Sequence, residues 1–328
     1  MRARAGLALL LMLTACGGVS AQPSSGPSAT PAGTVRLYTS VVQQTVDAVV
    51  KPFQAAHPGV TVDVFRAPTG QLDARMAAEQ RQGGIQADVL WQTDPLSMQQ
   101  FAGQRLLRQW TPSEQHAVAA GYRGSGFWGT RILSLVIVHR AELAAPPADW
   151  NDLLSPAYKG AVAIPDPGFA GSAYGALAYF GLSPAYGIDF YRKLKANGAV
   201  QVSAIGDVIT GVAEGRFKVG MALDVIAKQE ITKGSPIRIA WPKSGAIAIY
   251  SPIAVLASTQ NPNADEAFVD FVLSEPGQKA IAATGWQPIR TGLAGVPTPG
   301  GKQVEPDWTA AFRRQTELLR EYRTIFGA

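Results

Sequence analysis

The feature that most constrains the fold is a regular alternation of short β-prone runs with stretches of helical spacing. The runs 35–38, 60–65 and 88–91 are each followed by a helix-like stretch. After the first run, apolar residues recur at helical spacing, at Val42, Val46, Val49, Val50 and Phe53. Strand and helix thus alternate three times in about 70 residues. This order favours an α/β fold with a parallel sheet covered by helices on both faces.

The rest of the chain continues in the same manner. Residues 132–138 form a continuous apolar run of the kind that a fully buried strand requires. Further strands are predicted at 161–164, 200–202, 219–223, 238–241 and 247–257. Helices are predicted at 172–181, 185–196, 206–214, 263–273 and 275–283, with a terminal amphipathic helix from Pro306.

The N-terminus has the three parts of an export signal. Arg2 and Arg4 are followed by an apolar run that is too short for a permanent span, and then by Leu-Thr-Ala before Cys16. This pattern predicts a lipoprotein signal at 1–15 with lipid on Cys16, and an exported, lipid-anchored protein at the periplasm or cell surface. The alternative is an ordinary secretory signal cut before Gln22. Residues 16–33 are rich in Gly, Ser and Pro, which is typical of a flexible tether.

Composition narrows the class of partner. About 290 residues follow the tether, enough for one large domain or two medium ones. Cys16 is the single cysteine, so the folded part has no disulfide. The net charge of +5 is spread along the chain without the concentrated basic face that nucleic-acid binding requires. We therefore expect no nucleic-acid partner.

Six separated motifs carry a resemblance to a known family. They are VRLYTS at 35–40, the F…HPGV element at 53–60, ADVLWQTDP at 87–95, FWGTRILSLVIV at 127–138, GSAY at 171–174 and FVDFVLSEPGQ at 268–278. In order and spacing they resemble the type 2 periplasmic binding proteins, in the branch that includes receptors for ferric iron, phosphonates and sugar phosphates. The resemblance covers residues 34–326.

This resemblance implies two α/β lobes, each a mostly parallel sheet flanked by helices, with the ligand in a cleft that closes between them. The implied first lobe comprises 34–132 plus 253–305, the second comprises 133–252, and 306–328 is a C-terminal helix. The implied function is that of a monomeric receptor that delivers a small solute to the permease subunits of an ABC importer. No cofactor is implied.

Ligands of open α/β sheets bind beyond the carboxyl ends of the strands. Most residues at these predicted ends are small or carry a hydroxyl group just before a helix, where unpaired N–H groups favour an oxyanion. The predicted ligand-binding residues are Tyr38, Ser40, Thr69, Gly70, Trp91, Asp94, Ser172, Ala173, Ser203, Asp224 and Tyr250.

Each of these residues also has a purely structural interpretation. Ser40, Thr69, Ser172 and Ser203 could be helix caps or turn residues. Tyr38 and Tyr250 could be ordinary strand aromatics, whereas the Trp91 indole could form a wall of the cleft. Asp224 could meet a ligand ammonium group or cap the next helix.

The sequence departs from the ferric-iron receptors, which place two adjacent tyrosines where this chain has Asp224 and Val225. Ferric ions prefer anionic oxygen ligands, so this change favours a small organic anion, a phosphonate or phosphorylated compound. Ferric iron held by atypical ligands remains an alternative. A hydrolase outside the cytoplasm is an alternative of another class, although no nucleophile or metal-ligand motif supports one.

Overall fold

A computed structural model describes residues 30–327 of the chain. The predicted signal, Cys16 and most of the predicted tether lie outside the described residues. Within them the chain forms twelve β-strands: β1 Gly33–Thr39, β2 Val60–Arg66, β3 Val89–Trp91, β4 Arg123–Gly124, β5 Phe127–Arg140, β6 Val162–Pro165, β7 Val200–Val202, β8 Val219–Leu223, β9 Ile237–Ala240, β10 Ala246–Val255, β11 Gln287–Pro288 and β12 Gln303–Val304.

The described residues also form ten α-helices: α1 Gln43–Ala56, α2 Thr69–Arg81, α3 Pro95–Gly103, α4 Gly171–Leu182, α5 Asp189–Ala196, α6 Ile205–Ala213, α7 Asp224–Thr232, α8 Pro262–Leu273, α9 Glu275–Ala283 and α10 Trp308–Phe326. None of the helices in this part of the chain has the length and apolar character needed to cross a membrane.

The strands join in one mixed sheet whose principal order is β2-β1-β3-β10-β5-β8-β6-β7. At one end β1 is parallel to both β2 and β3, and at the other end β6 is parallel to both β7 and β8. We call these two groups the first and second lobe. The long strands β5 and β10 lie between them and pair antiparallel with each other. The predicted α/β fold with two mostly parallel groups of strands is confirmed.

Burial explains why β5 and β10 are so apolar. Thirteen of the 14 residues of β5 are buried, and all ten residues of β10 are buried. Such strands are covered on both faces and show no alternation in sequence. The apolar run predicted at 132–138 is therefore the centre of a strand that extends from Phe127 to Arg140.

Two helices differ from the sequence-based expectation. The sequence indicates helix α7 only as the helix that Asp224 could cap, without bounds, because its composition is too mixed to give a clear apolar stripe. Helix α10 begins at Trp308, one residue after Asp307, whose carboxylate accepts a hydrogen bond from the Ala310 N–H. It packs on α4 and α5 of the second lobe and also on α3 of the first. The C-terminal helix therefore contacts both lobes.

Candidate ligand-binding site

A partly open cavity of about 390 Å³ lies between the carboxyl ends of the strands of the two lobes. The first lobe contributes Ser40, Thr69 and Thr93, each just after a strand, and the second contributes Ser172 and Ser203. Its size is that of a site for a small organic molecule. The structure thus brings together four predicted residues, Ser40, Thr69, Ser172 and Ser203.

Five helices direct their N-termini at this cavity. The wall includes the residue before the first turn or the first turn itself of α1, α2, α4, α6 and α7. Their N-cap residues are Val42, Pro68, Ala170, Ala204 and Leu223, and none of these caps its helix with a side-chain oxygen. The N–H groups of the first two residues of each helix, apart from that of Gly70, are therefore available to a ligand together with the partial positive charge of the helix end.

Side-chain caps occur on helices that do not reach the cavity. Within the described residues the α-helices capped in this way are α3, α9 and α10, by Asp94, Ser274 and Asp307. None of Ser40, Thr69, Ser172 and Ser203 occupies an N-cap position, so the capping interpretation does not hold for them. The helices with free N-termini include all five that face the cavity.

Three hydroxyl groups form a cluster at the first-lobe wall. The Thr69 hydroxyl donates to Ser40 Oγ at 3.0 Å and lies 3.1 Å from Thr93 Oγ1, and Ser40 Oγ is 3.3 Å from Thr93 Oγ1. These groups hold one another in place, and because Thr69 donates to Ser40 and Ser40 donates to Thr93, the Thr93 hydroxyl is the one whose proton can turn to a ligand oxygen. We refer to Ser40, Thr69 and Thr93 as the hydroxyl cluster.

The buried charged residue of the cavity wall is Arg131 on β5. Its side chain is 0% exposed, and its Nε and Nη1 have no hydrogen-bond partner within the described residues. Burial lowers the pKa of Arg131 to about 9. The guanidinium instead stacks on Trp286, whose indole N–H donates to Thr45 Oγ1 at 3.1 Å. A buried cation without a counter-ion is costly, so this geometry calls for an anion from outside the chain.

A second arginine stands at the exposed side of the cavity. Arg66 ends β2, and its Nε donates to the Val41 carbonyl oxygen at 2.8 Å. This bond leaves the rest of its guanidinium free to turn toward a ligand. Sequence reasoning identified neither arginine. A lone charge within the apolar run of β5 was the signal that could have identified Arg131.

The lobes touch beside the cavity through glycine. The Gly70 N–H donates to the Phe169 carbonyl oxygen at 3.2 Å, and a Cβ on Gly70 would lie 2.2 Å from the Gly168 oxygen. A Cβ on Gly171 would lie 2.3 Å from Asp94 Oδ2 and 2.7 Å from Thr93 Oγ1. The second-lobe segment therefore sits directly against the ends of the first-lobe strands, and the cleft is closed.

Gly70, which was predicted to bind the ligand, does not line the ligand cavity. It lines a neighbouring cavity of about 200 Å³, which also includes Asp73, Tyr174 and Arg323. The hydrogen bond from Gly70 to Phe169 stands where the two cavities meet, since Thr69, Phe169 and Gly171 line both.

Three predicted aromatic residues are not part of the cavity wall. The Tyr38 hydroxyl donates to Glu79 at 2.7 Å, and the Trp91 indole N–H donates to Thr130 at 2.9 Å in the core. Tyr250 packs between Tyr122 and Trp308. Each side chain projects away from the cavity because neighbouring side chains of a strand point to opposite faces of the sheet.

The remaining predicted residues also lie elsewhere. Asp94 caps α3 through the Ser97 N–H, and Ala173 is buried inside α4. Asp224 pairs with Lys228 one turn later on α7, at 2.9 Å, beside a separate small pocket. Because α7 starts at Asp224, its carboxylate turns along the helix instead of into the cavity.

The wall of the cavity, within the part of the chain that the structure describes, contains no Asp, Glu, His or Tyr. Across residues 30–327, no group of three or more His, Cys, Asp or Glu is arranged to hold a metal ion. What the cavity presents is two guanidinium groups, hydroxyl groups and helix N-termini. This combination complements a negatively charged molecule.

Fold and cavity together define a two-lobed α/β binding protein. The model of the family "Bacterial extracellular solute-binding protein" matches residues 35–287. The chain therefore belongs to the bacterial extracellular solute-binding proteins, and its fold is that of the type 2 periplasmic binding proteins.

Solved structures of binding proteins share this fold. The periplasmic binding protein AfuA of Actinobacillus pleuropneumoniae, solved with fructose-6-phosphate, has a TM-score of 0.78 and 21% identity, covering 89% of this chain and 98% of AfuA. Iron-bound HitA of Pseudomonas aeruginosa has a TM-score of 0.75 and 23% identity, covering 90% and 99%. An ABC-transporter substrate-binding protein of Agrobacterium tumefaciens has a TM-score of 0.79 and 17% identity, covering 90% and 95%.

A sequence relative is an uncharacterized protein of Haemophilus influenzae, 28% identical over 176 residues. The match spans 52% of this chain and 49% of that protein, about half the length of each.

Proposed function

We propose that this chain is the substrate-binding receptor of an ABC importer, which captures a small organic anion by cleft closure and delivers it to a permease. A phosphonate or phosphorylated compound is the proposed ligand. The observation that carries this proposal is the buried guanidinium of Arg131 in the cavity wall, whose Nε and Nη1 have no hydrogen-bond partner within residues 30–327.

Arg131 favours an anion because no carboxylate of the described chain forms an ion pair with it. Stacking on Trp286 orients the guanidinium but supplies no acceptor for Nε–H and Nη1–H. A phosphonate or phosphate oxygen would supply that acceptor and the missing negative charge together. The ligand would thereby act as the counter-ion of Arg131.

The five helix N-termini and the hydroxyl cluster support the same ligand class. A phosphonyl or phosphoryl group has three outer oxygens, which need more donors than one guanidinium can give. First-turn N–H groups of the cavity helices can serve the others, as at many phosphate sites. Asp224, which lies beside a different pocket, has no part in this proposal.

Ferric iron is the alternative within the same fold, and HitA was solved with iron bound. Hard ferric ions bind through phenolate and carboxylate oxygens, and the described wall offers arginines in their place. A hydrolase would need a general base beside Ser172 or Ser203, yet the described wall contains no His, Asp or Glu. Both alternatives therefore have less support than the anion receptor.

The test is to purify the chain and titrate it with alkyl and aryl phosphonates by calorimetry, with native mass spectrometry before and after. We expect micromolar binding at one site and recovery of the ligand unchanged. Tight binding of iron without an organic anion, or conversion of the ligand, would overturn the proposal.

We also propose limits for the two lobes, a monomeric state and a lipid anchor. We place the lobes at 34–132 plus 253–305 and at 133–252, with β5 and β10 as the crossing strands, and we propose that the receptor is a monomer. Lipid on Cys16 would hold it at a membrane near its permease. Labelling with radioactive palmitate should mark the wild type and leave Cys16→Ser unlabelled.

A further inference from the structure

Apart from the two arginines and the hydroxyl-bearing residues, much of the cavity is lined by apolar side chains. These are Val42, Leu133, Phe169, Ile205, Leu223 and Ile226. Leu133 follows Arg131 by two positions on β5, so both side chains project from the same face of the strand. A ligand held by Arg131 would therefore place the rest of its structure against this apolar wall.

Phe169 is the most exposed large apolar residue of the wall. Its side chain is 44% exposed, and the other large apolar residues with comparable exposure in the described chain, Val200 and Ile231, do not line the cavity. Exposed aromatic surface at a cavity marks a place where an apolar group can be covered. A ligand with an apolar body would bury this ring.

A positively charged ligand group would find no partner here. The described wall has no carboxylate, and its charges are Arg131, Arg66 and the positive ends of five helices. An ammonium group would lose its hydration without gaining a counter-ion and would also be repelled. Ligand hydroxyl groups that lie against Leu133, Leu223 and Ile226 would likewise lose water, because these three side chains offer no acceptor.

We infer that the ligand is an organic oxyanion whose remaining part is an uncharged alkyl or aryl group, and that the cavity discriminates against aminated and polyhydroxylated anions. This inference rests on the proposed function, since it names the ligand class of the same site. It separates this chain from AfuA, which was solved with a sugar phosphate.

The first experiment is a calorimetric comparison of four probes on the full chain: phenylphosphonate, aminoethylphosphonate, fructose-6-phosphate and inorganic phosphate. We expect phenylphosphonate to bind at least about tenfold more tightly than each of the others. Equal or tighter binding of any of the other three would overturn the inference. If these anions bind and lose affinity in Arg131→Met but show no preference for the apolar probe, only this inference fails. If none binds, the proposed function fails with it.

The second experiment reverses the preference. Ile226 is half-buried in the cavity wall, so Ile226→Glu can introduce a carboxylate there without filling the core. This variant should gain affinity for aminoethylphosphonate and lose at least about tenfold for phenylphosphonate. Ile231→Glu, on the same helix but outside the cavity, is the control and should keep the wild-type order. If Ile226→Glu also keeps the wild-type order, the apolar wall does not contact the ligand and the inference is wrong.

Discussion

The guanidinium carbon of Arg131 lies 4.3 Å from the ring centre of Trp286. This contact fixes the direction of a cation whose Nε and Nη1 have no hydrogen-bond partner in the part of the chain that the structure describes, because a flat guanidinium stacks on an aromatic face. The Trp286 ring is in turn held by its hydrogen bond to Thr45, whose hydroxyl lies 3.0 Å from that of Thr284. The binding charge is thus positioned before any ligand arrives, which reduces the ordering cost of binding.

Arg131→Met should weaken anion binding while stabilising the protein in the absence of ligand. The variant nearly keeps the volume of the side chain and removes a buried charge for which the described residues supply no counter-ion, so the free energy of unfolding should rise by about 1 kcal/mol or more. Losing charge-assisted hydrogen bonds of about 1.5–3 kcal/mol should weaken binding by at least about tenfold. Calorimetry and thermal melts without ligand measure the two effects.

Arg66→Met is the matched comparison for that experiment. Arg66 is exposed and already donates one hydrogen bond to the Val41 carbonyl oxygen, so solvent screens its charge. We expect a smaller loss of affinity, below about tenfold. Unchanged binding in Arg131→Met, or an equal loss in both variants, would contradict the role assigned to Arg131.

Gly171→Ala should prevent closure without harming the fold. The added Cβ would lie 2.3 Å from Asp94 Oδ2 and 2.8 Å from Thr69 Oγ1, so the start of α4 could no longer rest on the first lobe. Alanine is otherwise favourable in a helix, and the melting temperature should not fall. We expect a loss of affinity of about tenfold or more and a larger radius of gyration in solution scattering when ligand is present.

Gly103→Ala provides the control for that prediction. Gly103 is also helical, in α3, and an added Cβ there would meet no heavy atom within 4 Å. It should bind like the wild type. If Gly171→Ala also binds and compacts like the wild type, closure does not depend on this contact.

The sequence identified part of the site because strand ends and helix starts can be located from periodicity. Ser40, Thr69, Ser172 and Ser203 were found in this way, since each follows a strand directly or opens a helix. Arg131 was missed because it lies inside a buried strand instead of at its end. Ligand-binding residues were sought at strand ends, and the interior of a buried strand is expected to be apolar. The charge of Arg131 was therefore not considered.

The predicted residues that lie outside the cavity show where periodicity fails. Tyr38, Trp91 and Tyr250 occupy the expected strand ends, but their direction depends on the face of the sheet that turns toward the cleft. That face is decided by long-range packing such as the contact of Tyr250 with Trp308. The ion pair of Asp224 could have been predicted from the sequence, because a lysine four residues later is a usual helical ion-pair partner.

Asp94→Asn should remove a pH-dependent loss of stability. Burial raises the pKa of the Asp94 carboxyl group from 3.8 to about 7, and Oδ2 has no partner among the described residues. The folded state therefore holds a proton that the unfolded state releases, so this group reduces the free energy of unfolding as the pH rises from 3.8 to about 7. Asparagine can accept the same capping bond from the Ser97 N–H without acquiring charge.

The gain in the free energy of unfolding of Asp94→Asn over the wild type should accordingly be small near pH 3.8 and greatest above about pH 7. Urea unfolding across the range measures it. Asp307→Asn, which replaces an exposed capping carboxylate on α10, is the matched control and should show no such gain. A difference between Asp94→Asn and the wild type that stays constant or shrinks with rising pH would contradict the prediction.

Asp224→Ala should leave anion binding intact. Asp224 forms an ion pair with Lys228 at 2.9 Å, and it lines the small pocket with Ser134 and Gln287 instead of the ligand cavity. Its removal costs a helical ion pair and a favourable charge in the first turn of α7, so the free energy of unfolding should fall by about 1 kcal/mol. Affinity for phenylphosphonate should change by less than about threefold, and any change should be a gain, since a negative charge near the cavity is lost.

Lys228→Ala breaks the same pair from the other side and should show a similar loss of stability. A large loss of affinity in Asp224→Ala alone would mean that its carboxylate contacts the ligand, and the cavity assigned to the anion would then be the wrong one.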